Sequence, residues 1–509
     1  MDEIQDRFTD PFLRQILALL PSAIPIYLVG GAVRDLLLHK PNYDLDFVTG
    51  GDAIKIARKL ADDVGGGYFP LDVKRNVARI VIKEAKPDNN GVSQTKRVDI
   101  SKFQGADLSE DLEGRDFTIN AMALDKHEPA KLIDPMGGAV DLVAKRLRAC
   151  SVNSFLKDPV RILRAVRFSV NLGLTIQTDT LKLMREAIDH LPEVSAERLR
   201  DELFRILVLP HPATCLRILD KLGALEIILP EVCALKEVNQ SAPHVLDAWN
   251  HTLDSLNRLE SLLEVLALDF NPDKASNLAL GLVAIKLGRY REALDAHLNN
   301  ALNPERPHRG LIFLAGLYHD VGKQATQSTD EEGKIRFFGH EQAGSKMAEK
   351  RGSDLKLSNL EITRLVTVVS HHMRPSFLSH PEELPSNKAI YRFFRDTGAA
   401  GVDICILSLA DMLATYGPTL PAERWSRHIE VVRTLFHAWW ENREVQILPA
   451  AIISGGELIT KFGLESGPII GYILESVREA QISGEISTKE EAFKWVRAIL
   501  DENQKLKTG

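Results

Sequence analysis

Asp44 and Asp46 stand two residues apart in Tyr43-Asp44-Leu45-Asp46-Phe47, an alternating stretch that reads as a strand. Side chains alternate faces along a strand, so both carboxylates project to one side while Leu45 and Phe47 face the other. Like charges held that close repel each other. A divalent cation removes the conflict, and a pair of hard oxygen donors suits Mg²⁺. Just upstream, the apolar run Ile26–Val29 enters Gly30-Gly31, and a short helix opens at Val33-Arg34-Asp35. A turn without Cβ atoms lets backbone N–H groups approach a phosphate. Glycine turn and paired aspartates together describe a nucleoside triphosphate held by metal for phosphoryl or nucleotidyl transfer.

These residues need a small sheet to hold them. Residues 10–20 read as a helix leading into the strand at Ile26–Val29, and Asp52–Val64 reads as a helix packed through Ala53, Ile56, Ala57, Leu60 and Ala61. Arg79–Ile82 and Arg97–Ile100 alternate like two further strands, with the polar stretch Lys83–Gln94 as a solvated loop between them. Asp99 lies on the second of these strands. Two roles fit it: a third carboxylate beside the first two, able to act as general base, or a partly exposed strand aspartate.

Further along comes Gly114-Arg115-Asp116-Phe117-Thr118-Ile119-Asn120-Ala121, then the turn Asp134-Pro135-Met136-Gly137-Gly138. With the glycine turn and Asp-x-Asp, this order resembles the nucleotidyltransferase superfamily built on the polymerase-β fold. More narrowly it resembles the class II tRNA nucleotidyltransferases (CCA-adding enzymes) and the related bacterial poly(A) polymerases. The resemblance implies that Asp44, Asp46 and Asp99 are catalytic, with Mg²⁺ on Asp44 and Asp46. It implies that Gly30, Gly31 and Arg34 handle the triphosphate, and that Arg115, Asp116 and Asn120 bind the nucleotide, Arg115 and Asp116 at the ribose. Gly114 stands where the family has an arginine. The stretch Ser101–Gly114 is short compared with many CCA-adding relatives, as in relatives that add only CC or only A, so the added product stays open.

Lys145, Arg146, Arg148, Lys157, Arg161, Arg164 and Arg167 form a basic run, a solvated helix face or a path for nucleic acid. Residues 154–168 have helical spacing after Pro159, with Asp158 and Arg161 three apart on one face. In the family the matching pair reads the Watson–Crick edge of the incoming base. The carboxylate accepts from an exocyclic amine and the guanidinium donates to the ring. Arg164 and Arg167 join the nucleotide-binding set on the same ground. The other reading of the pair is a local ion pair, and Lys157 stands where the family has an acidic residue. Arg198 and Arg200, in a Ser-x-Glu-Arg helix start, either touch nucleic acid or pair with Glu197, Asp201 and Glu202.

A second constellation lies downstream. His251 sits in Trp249-Asn250-His251, His319-Asp320 follows the apolar helix Leu311–Tyr318, His340 sits in Gly339-His340-Glu341, His371-His372 ends another apolar helix, and Asp411 sits in Ala410-Asp411-Met412. The order resembles the all-helical HD phosphohydrolase superfamily. His251, His319, Asp320 and Asp411 match its core metal ligands. His340 and His371, or His372 beside it, match the extra histidines of binuclear members. Mixed imidazole and carboxylate ligation favours Mn, Fe, Co, Ni or Zn over Mg. Such a metal lowers the pKa of bound water for attack on a phosphoester, and Lys323 is placed to neutralise phosphate charge.

The chain of 509 residues exceeds a single core, and its 44% hydrophobic and 26% charged residues are ordinary for a globular protein. A net charge of −7 argues against a surface coated for nucleic acid but permits a local basic path. Scattered Cys150, Cys215, Cys233 and Cys405, an acidic N-terminus without a signal pattern and no apolar run near span length lead to the expectation of a cytoplasmic protein with no membrane contact. The expected fold class is α+β. A polymerase-β-like head over residues 1–140 has a small mixed sheet with helices. A helical neck follows over 141–232 for RNA and base recognition, then an HD-type metal domain over 233–420. A helical tail over 421–509 either contacts tRNA or packs as a cap. The resemblance implies tRNA, CTP and ATP as partners and addition of CMP, AMP or both at a tRNA 3′ end. The rivals are a poly(A) polymerase, an HD phosphodiesterase or phosphatase with a nucleotide-sensing head, and a noncatalytic RNA-binding factor.

Overall fold

In the computed structural model the described residues are 10–41, 43–83, 95–128, 131–271, 277–300, 302–303, 306–380 and 382–508. The loop expected at Lys83–Gln94 falls, from residue 84 onward, outside them. The chain forms two compact units. One comprises Met1–Arg198 with Lys221–Ala224, the other Leu199–Asp220 with Leu225–Gly509. The segment 141–232, expected to be one neck, is divided between them.

The first unit is built on seven strands: β1 Ile26–Val29, β2 Asp44–Thr49, β3 Gly67–Asp72, β4 Val77–Lys83, β5 Thr95–Lys102, β6 Ala123–Asp125 and β7 Leu132–Ile133. Their order is β3-β4-β5-β2-β1-β6-β7, with β2 and β5 parallel and the other pairs antiparallel. Helices Pro11–Leu19 and Ala53–Val64 cover one face. Their apolar stripes, Phe12, Leu13 and Ile16 on one and Ile56, Ala57, Leu60 and Ala61 on the other, share a core with Leu28, Leu45, Phe47, Ile80, Val98 and Ile100 of the sheet. Asp10 and Asp52 cap these helices by accepting from backbone N–H groups. That packing fixes the register, because a one-residue slip of β2 would bury Asp44 and Asp46 and expose Leu45 and Phe47.

Pro159, expected near the start of a helix, separates a short helical turn from the main helix. Ser154–Lys157 ends at Asp158, whose φ of −155° and ψ of 88° are extended, and the main helix runs Arg161–Leu172. A residue before proline is pushed out of helical conformation. Asp158 and Arg161 therefore do not share a helix face, a correction to the spacing argument. They still approach, with Arg161 Nε 3.8 Å from Asp158 Oδ2.

The second unit is mostly helical. Helices Ala248–Val265, His308–Tyr318, His340–Asp354, Asn359–His371 and Ala400–Tyr416 surround its polar centre. The segment Ala400–Thr419 is long and apolar enough to cross a membrane, which corrects the expectation that no run approaches that length; 83% of it is buried inside the protein, as befits a core helix. At the C-terminal end, Gly455–Phe462, Pro468–Ile482 and the start of Lys489–Thr508 close a small core of Leu458, Ile473, Val477, Ala492 and Val496. Glu475 and Glu479 tie this cap to Tyr391, Arg392 and Arg395 of helix Asn387–Thr397.

Candidate active sites

In the first unit the open face of β2 carries both aspartates. Asp44 and Asp46 are exposed, while Leu45 and Phe47 between and beyond them are buried. Parallel pairing sets Asp46 beside Asp99 on β5, and antiparallel pairing sets Asp99 beside Arg79 on β4. Arg79 donates to both Asp99 oxygens at 2.8 Å, and that bond raises the pKa of Arg79. Asp99 thus borders Asp46 but faces Arg79, which occupies one lone pair on each of its oxygens. The Asp46 carboxyl is pushed up to about 6, first by the protein packed around it, then by the Asp99 charge, with Asp44 adding to the rise and Arg115 opposing it. Because Asp46 keeps an open side to solvent, screening weakens the packing effect and the like charges weigh more. Clustered oxygens that repel one another on an accessible face fit a hard divalent cation.

The glycine turn closes this site. Gly30 has φ 72°, and a Cβ there would lie 2.7 Å from Arg115 Nη1 and 3.8 Å from Asp46 Oδ2. Only glycine leaves room for that guanidinium beside the carboxylate face. Arg115 is held from behind by buried Asp111, through Nε at 3.3 Å and Nη2 at 3.1 Å. Arg34, also buried, donates to Asp35 at 2.9 Å and to Asn120 Oδ1 at 2.7 Å. Asn120 Nδ2 donates to Asp116 Oδ1 at 3.0 Å, and Arg164 donates to Asp116 Oδ2 at 2.9 and 2.6 Å. Burial alone would raise the Asp116 carboxyl, but Arg164 and Asn120 outweigh it and hold it low. The structure therefore joins Arg34, Asn120, Asp116 and Arg164 in one chain of hydrogen bonds, with Arg115, held by Asp111, beside Gly30. Arg167 reaches that chain of hydrogen bonds through the Phe168 ring, with Cζ 4.5 Å from the centroid.

The pair expected at the base is arranged differently from the sequence reading. Arg161 donates to the Gly114 carbonyl at 2.9 Å, the Arg115 carbonyl at 3.1 Å and Ser154 Oγ at 2.8 Å, so it braces the backbone of the Arg115-Asp116 segment. Asp158 Oδ2 accepts from Arg198 at 2.7 Å, while Asp158 Oδ1 is buried without a hydrogen-bond partner among the described residues. Arg200 instead pairs with Asp201 and the Lys356 carbonyl within the second unit.

The second unit gathers its own cluster. His251, His319, Asp320 and His372 are almost wholly buried, and His340 nearly so. His251 Nε2 lies 3.3 Å from Asp320 Oδ2 and 3.0 Å from Asp411 Oδ1, and His319 Nε2 lies 3.3 Å from Asp320 Oδ2. On the other Asp320 oxygen, His340 Nε2 approaches to 3.4 Å and His372 Nε2 to 3.9 Å. Two candidate metal positions result, His251-His319-Asp320 and Asp320-His340-His372, with Asp320 common to both. At the 371–372 pair it is His372 that reaches the cluster; His371 turns to Ser370 and the Thr367 carbonyl, which corrects its assignment as a ligand. The Nδ1 atoms of His319, His340 and His372 sit 2.7, 2.9 and 2.8 Å from the carbonyls of Gly316, Phe337 and Val369. Nδ1 must carry the proton to donate there, which leaves each inward Nε2 as a lone pair for metal.

The electrostatics agree. Burial alone would raise the Asp320 carboxyl, but His319, Lys323 and His251 hold it well below the usual range. Burial alone would lower His251, but Asp320 and Asp411 push it up to about 9. Two carboxylates converging on one buried point make that point attractive to a cation. Lys323 Nζ donates to Asp320 Oδ2 and Gln240 Oε1, both at 2.6 Å. A cleft of about 590 Å³ opens onto Asp320, His340 and Asp411, walled by Lys323, Lys334, Arg336 and Arg424. Sequence reading missed a further buried group, Asp403 between His297, His308 and Arg364. Its members come from four separate segments, so no spacing reveals them. Three donors already satisfy the Asp403 carboxylate.

Comparison with known proteins places both halves. The Poly A polymerase head domain matches residues 26–148, the "Probable RNA and SrmB- binding site of polymerase A" matches 173–236, and the HD domain matches 282–415. His251 lies outside the matched HD range, yet its Nε2 is in the cluster. A head of this type followed by an HD domain defines the class: nucleotidyltransferases with an appended helical metal domain. The A-adding tRNA nucleotidyltransferase of Deinococcus radiodurans is 31% identical over 93% of this chain and 95% of its own. The CC-adding tRNA nucleotidyltransferase of Geobacter sulfurreducens is 31% identical over 92% and 91%. The chain belongs to the tRNA nucleotidyltransferase family. A CCA-adding enzyme solved with ATP shares the fold, with a TM-score of 0.61 and 22% identity over 98% of both chains.

Proposed function

We propose that this protein adds CMP, AMP or both from CTP and ATP to the 3′ end of tRNA and releases pyrophosphate. The observation that carries this is the placement of Asp44 and Asp46 on one open face of β2, beside a glycine turn that admits Arg115. Asp44 and Asp46 would hold Mg²⁺, which when bound supplies Lewis acidity to the attacking hydroxyl and the departing pyrophosphate. In the reaction the 3′ hydroxyl oxygen bonds to the α-phosphorus as the bond to the β-phosphate breaks. Arg34, fixed by the half-buried carboxylate of Asp35, binds the triphosphate, and Arg115, held by buried Asp111, contacts the ribose. Asp116, kept ionised by Arg164, accepts from a ribose hydroxyl and disfavours a nucleotide that lacks it. Asp158 Oδ1, a buried acceptor with no hydrogen-bond partner among the described residues, is suited to an exocyclic base amine. A cytoplasmic location belongs to this reading.

The relatives include A-adding and CC-adding enzymes and multifunctional CCA proteins, so the product is decided by incubating tRNA lacking its end with CTP alone, ATP alone and both. Incorporation confined to one or two C, or to one A, identifies the type. A long run of A supports a poly(A) polymerase instead, and no incorporation under any condition rejects the reading.

A second activity is favoured by the shared Asp320: metal-dependent hydrolysis of phosphoesters in the second unit. The imidazoles and Asp411 would hold Mn, Fe, Co, Ni or Zn, which when bound supplies an activated water. Lys323, Lys334, Arg336 and Arg424 line the cleft where a phosphate would enter. Hydrolysis of 2′,3′-cyclic nucleotides that is lost in His319→Ala tests it; equal release by both proteins rejects it.

A further inference from the structure

Phe168 is buried, with 5% of its surface exposed, on helix Arg161–Leu172. Three guanidinium groups surround its ring. Arg34 Cζ lies 5.0 Å from the centroid, Arg164 Cζ 5.5 Å and Arg167 Cζ 4.5 Å. Arg34 comes from the helix after the glycine turn, the other two from the helix that bears Phe168 itself. Phe117 completes the surroundings edge-on, 5.9 Å away at 82°.

Three like charges around one point need a reason. An alkyl side chain of similar size would fill the space but offer nothing to a cation. A benzene ring carries negative charge density on its faces and attracts guanidinium groups, more strongly where water is excluded. The carboxylates account for part of the arrangement. Asp35 holds Arg34 and Asp116 holds Arg164. Each of these carboxylates fixes one arginine locally, whereas the ring lies within reach of Arg34, Arg164 and Arg167 together. It links the triphosphate side, through Arg34, to the ribose side, through Arg164 and Asp116. The Arg34–Asn120–Asp116–Arg164 chain of hydrogen bonds runs between the same two arginines, so the ring and that chain close a loop.

We propose that Phe168 is a positioning residue for nucleotide binding, its π face holding Arg34, Arg164 and Arg167 in the arrangement that receives the triphosphate and ribose. The role rests on the transferase reading above. The ring touches no substrate; it acts through the guanidinium groups. Its loss therefore weakens nucleotide binding more than it slows the chemical step. Arginines held in place before the ligand arrives lose less side-chain freedom on binding, which is where the affinity comes from.

The test is a graded series at position 168 in the full-length protein. Phe is replaced by mono-, tri- and pentafluorophenylalanine, which keep the shape and progressively drain the π face. Phe168→Tyr and Phe168→Leu are made alongside. CTP and ATP binding is measured by calorimetry without tRNA, and kcat and KM are measured with tRNA. The expected result is a dissociation constant that climbs with fluorine number, to about tenfold or more for the pentafluoro ring. KM follows it, kcat changes by less than about twofold, and Phe168→Tyr stays near wild type. A merely space-filling role predicts a flat fluorine series at unchanged melting temperature, and that result overturns the inference. Because the fluorinated rings are nearly isosteric, the test stands even if Phe168→Leu fails to fold. If wild type itself neither binds nor incorporates nucleotides, it is the transferase reading that fails; a flat series in a wild-type protein that does both sinks only the role given to Phe168.

Discussion

The two polar centres solve the same problem, how to hold neighbouring carboxylates, in opposite ways. In the first unit Asp44 and Asp46 stand on an open strand face, all donors are oxygen, and the protein packed around Asp46 together with the Asp99 charge pushes its carboxyl up to about 6. In the second, Asp320 is buried among imidazoles and a lysine that hold it well below the ordinary range. An open oxygen face suits a hard cation that keeps its waters and arrives with a triphosphate. An enclosed imidazole cage suits a borderline metal that stays. Under the proposed functions, the first would be a site where metal and substrate exchange at each turnover, and the second one where a bound metal would be part of the fold.

Substitutions can break that separation. The largest effect is expected from Asp46→Ala. Nucleotide incorporation should fall by roughly 10³-fold or more, the scale of losing metal charge stabilisation. The melting temperature should hold or rise slightly, because an exposed, repelled carboxylate contributes little to the fold; a fall of many degrees would show that Asp46 serves packing instead. In the second unit the opposite pattern is expected. Asp320→Asn should strip metal from both clusters, read by elemental analysis of the purified protein, and lower the melting temperature. His340→Ala should empty only one cluster, and His371→Ala neither.

Gly30→Ala tests the turn. A side chain there meets both a positive φ and the Arg115 guanidinium. A stability loss of about 1 kcal/mol is expected, together with a higher KM for the triphosphate, measured by thermal melts and steady-state kinetics. The smallest effect concerns pH. A carboxyl with a raised pKa binds a proton as pH falls through about 6, and a protonated Asp46 cannot ligate. Mg²⁺ affinity should therefore weaken below about pH 6, where an ordinary aspartate pair would hold until about pH 4. Asp99→Asn removes the principal like charge and should move the midpoint downward by a fraction of a unit, followed by Mg²⁺ titration across pH 4.5–7.5. A midpoint that does not move would mean that packing, not Asp99, sets the shift.

Much of this was legible in the sequence. The strand period alone placed Asp44 and Asp46 together, because one face had to bury Leu45 and Phe47. The order of histidines and aspartates exposed the second site, with His319-Asp320 and His371-His372 following apolar helices. What escaped depends on rotation and long range. A sequence cannot say which of His371 and His372 points inward when a helix ends between them. Pro159 marked the helix start, but the spacing of three counted Asp158, which the proline holds outside the helix, onto the face of Arg161. The contacts of Arg161 were hidden because most of its partners are backbone carbonyls, which have no identity in a sequence. Nothing in the sequence set Phe168 apart; only coordinates show guanidinium groups gathered at its ring.

The separation of the two sites is tested most directly by one incorporation assay. Wild type, Asp44→Ala and His319→Ala are run side by side on tRNA lacking its 3′ end, with labelled CTP and ATP and Mg²⁺. Wild type and His319→Ala should incorporate nucleotide equally, and Asp44→Ala should fall to background. Equal incorporation by Asp44→Ala, or loss in His319→Ala with its fold intact, would contradict the account.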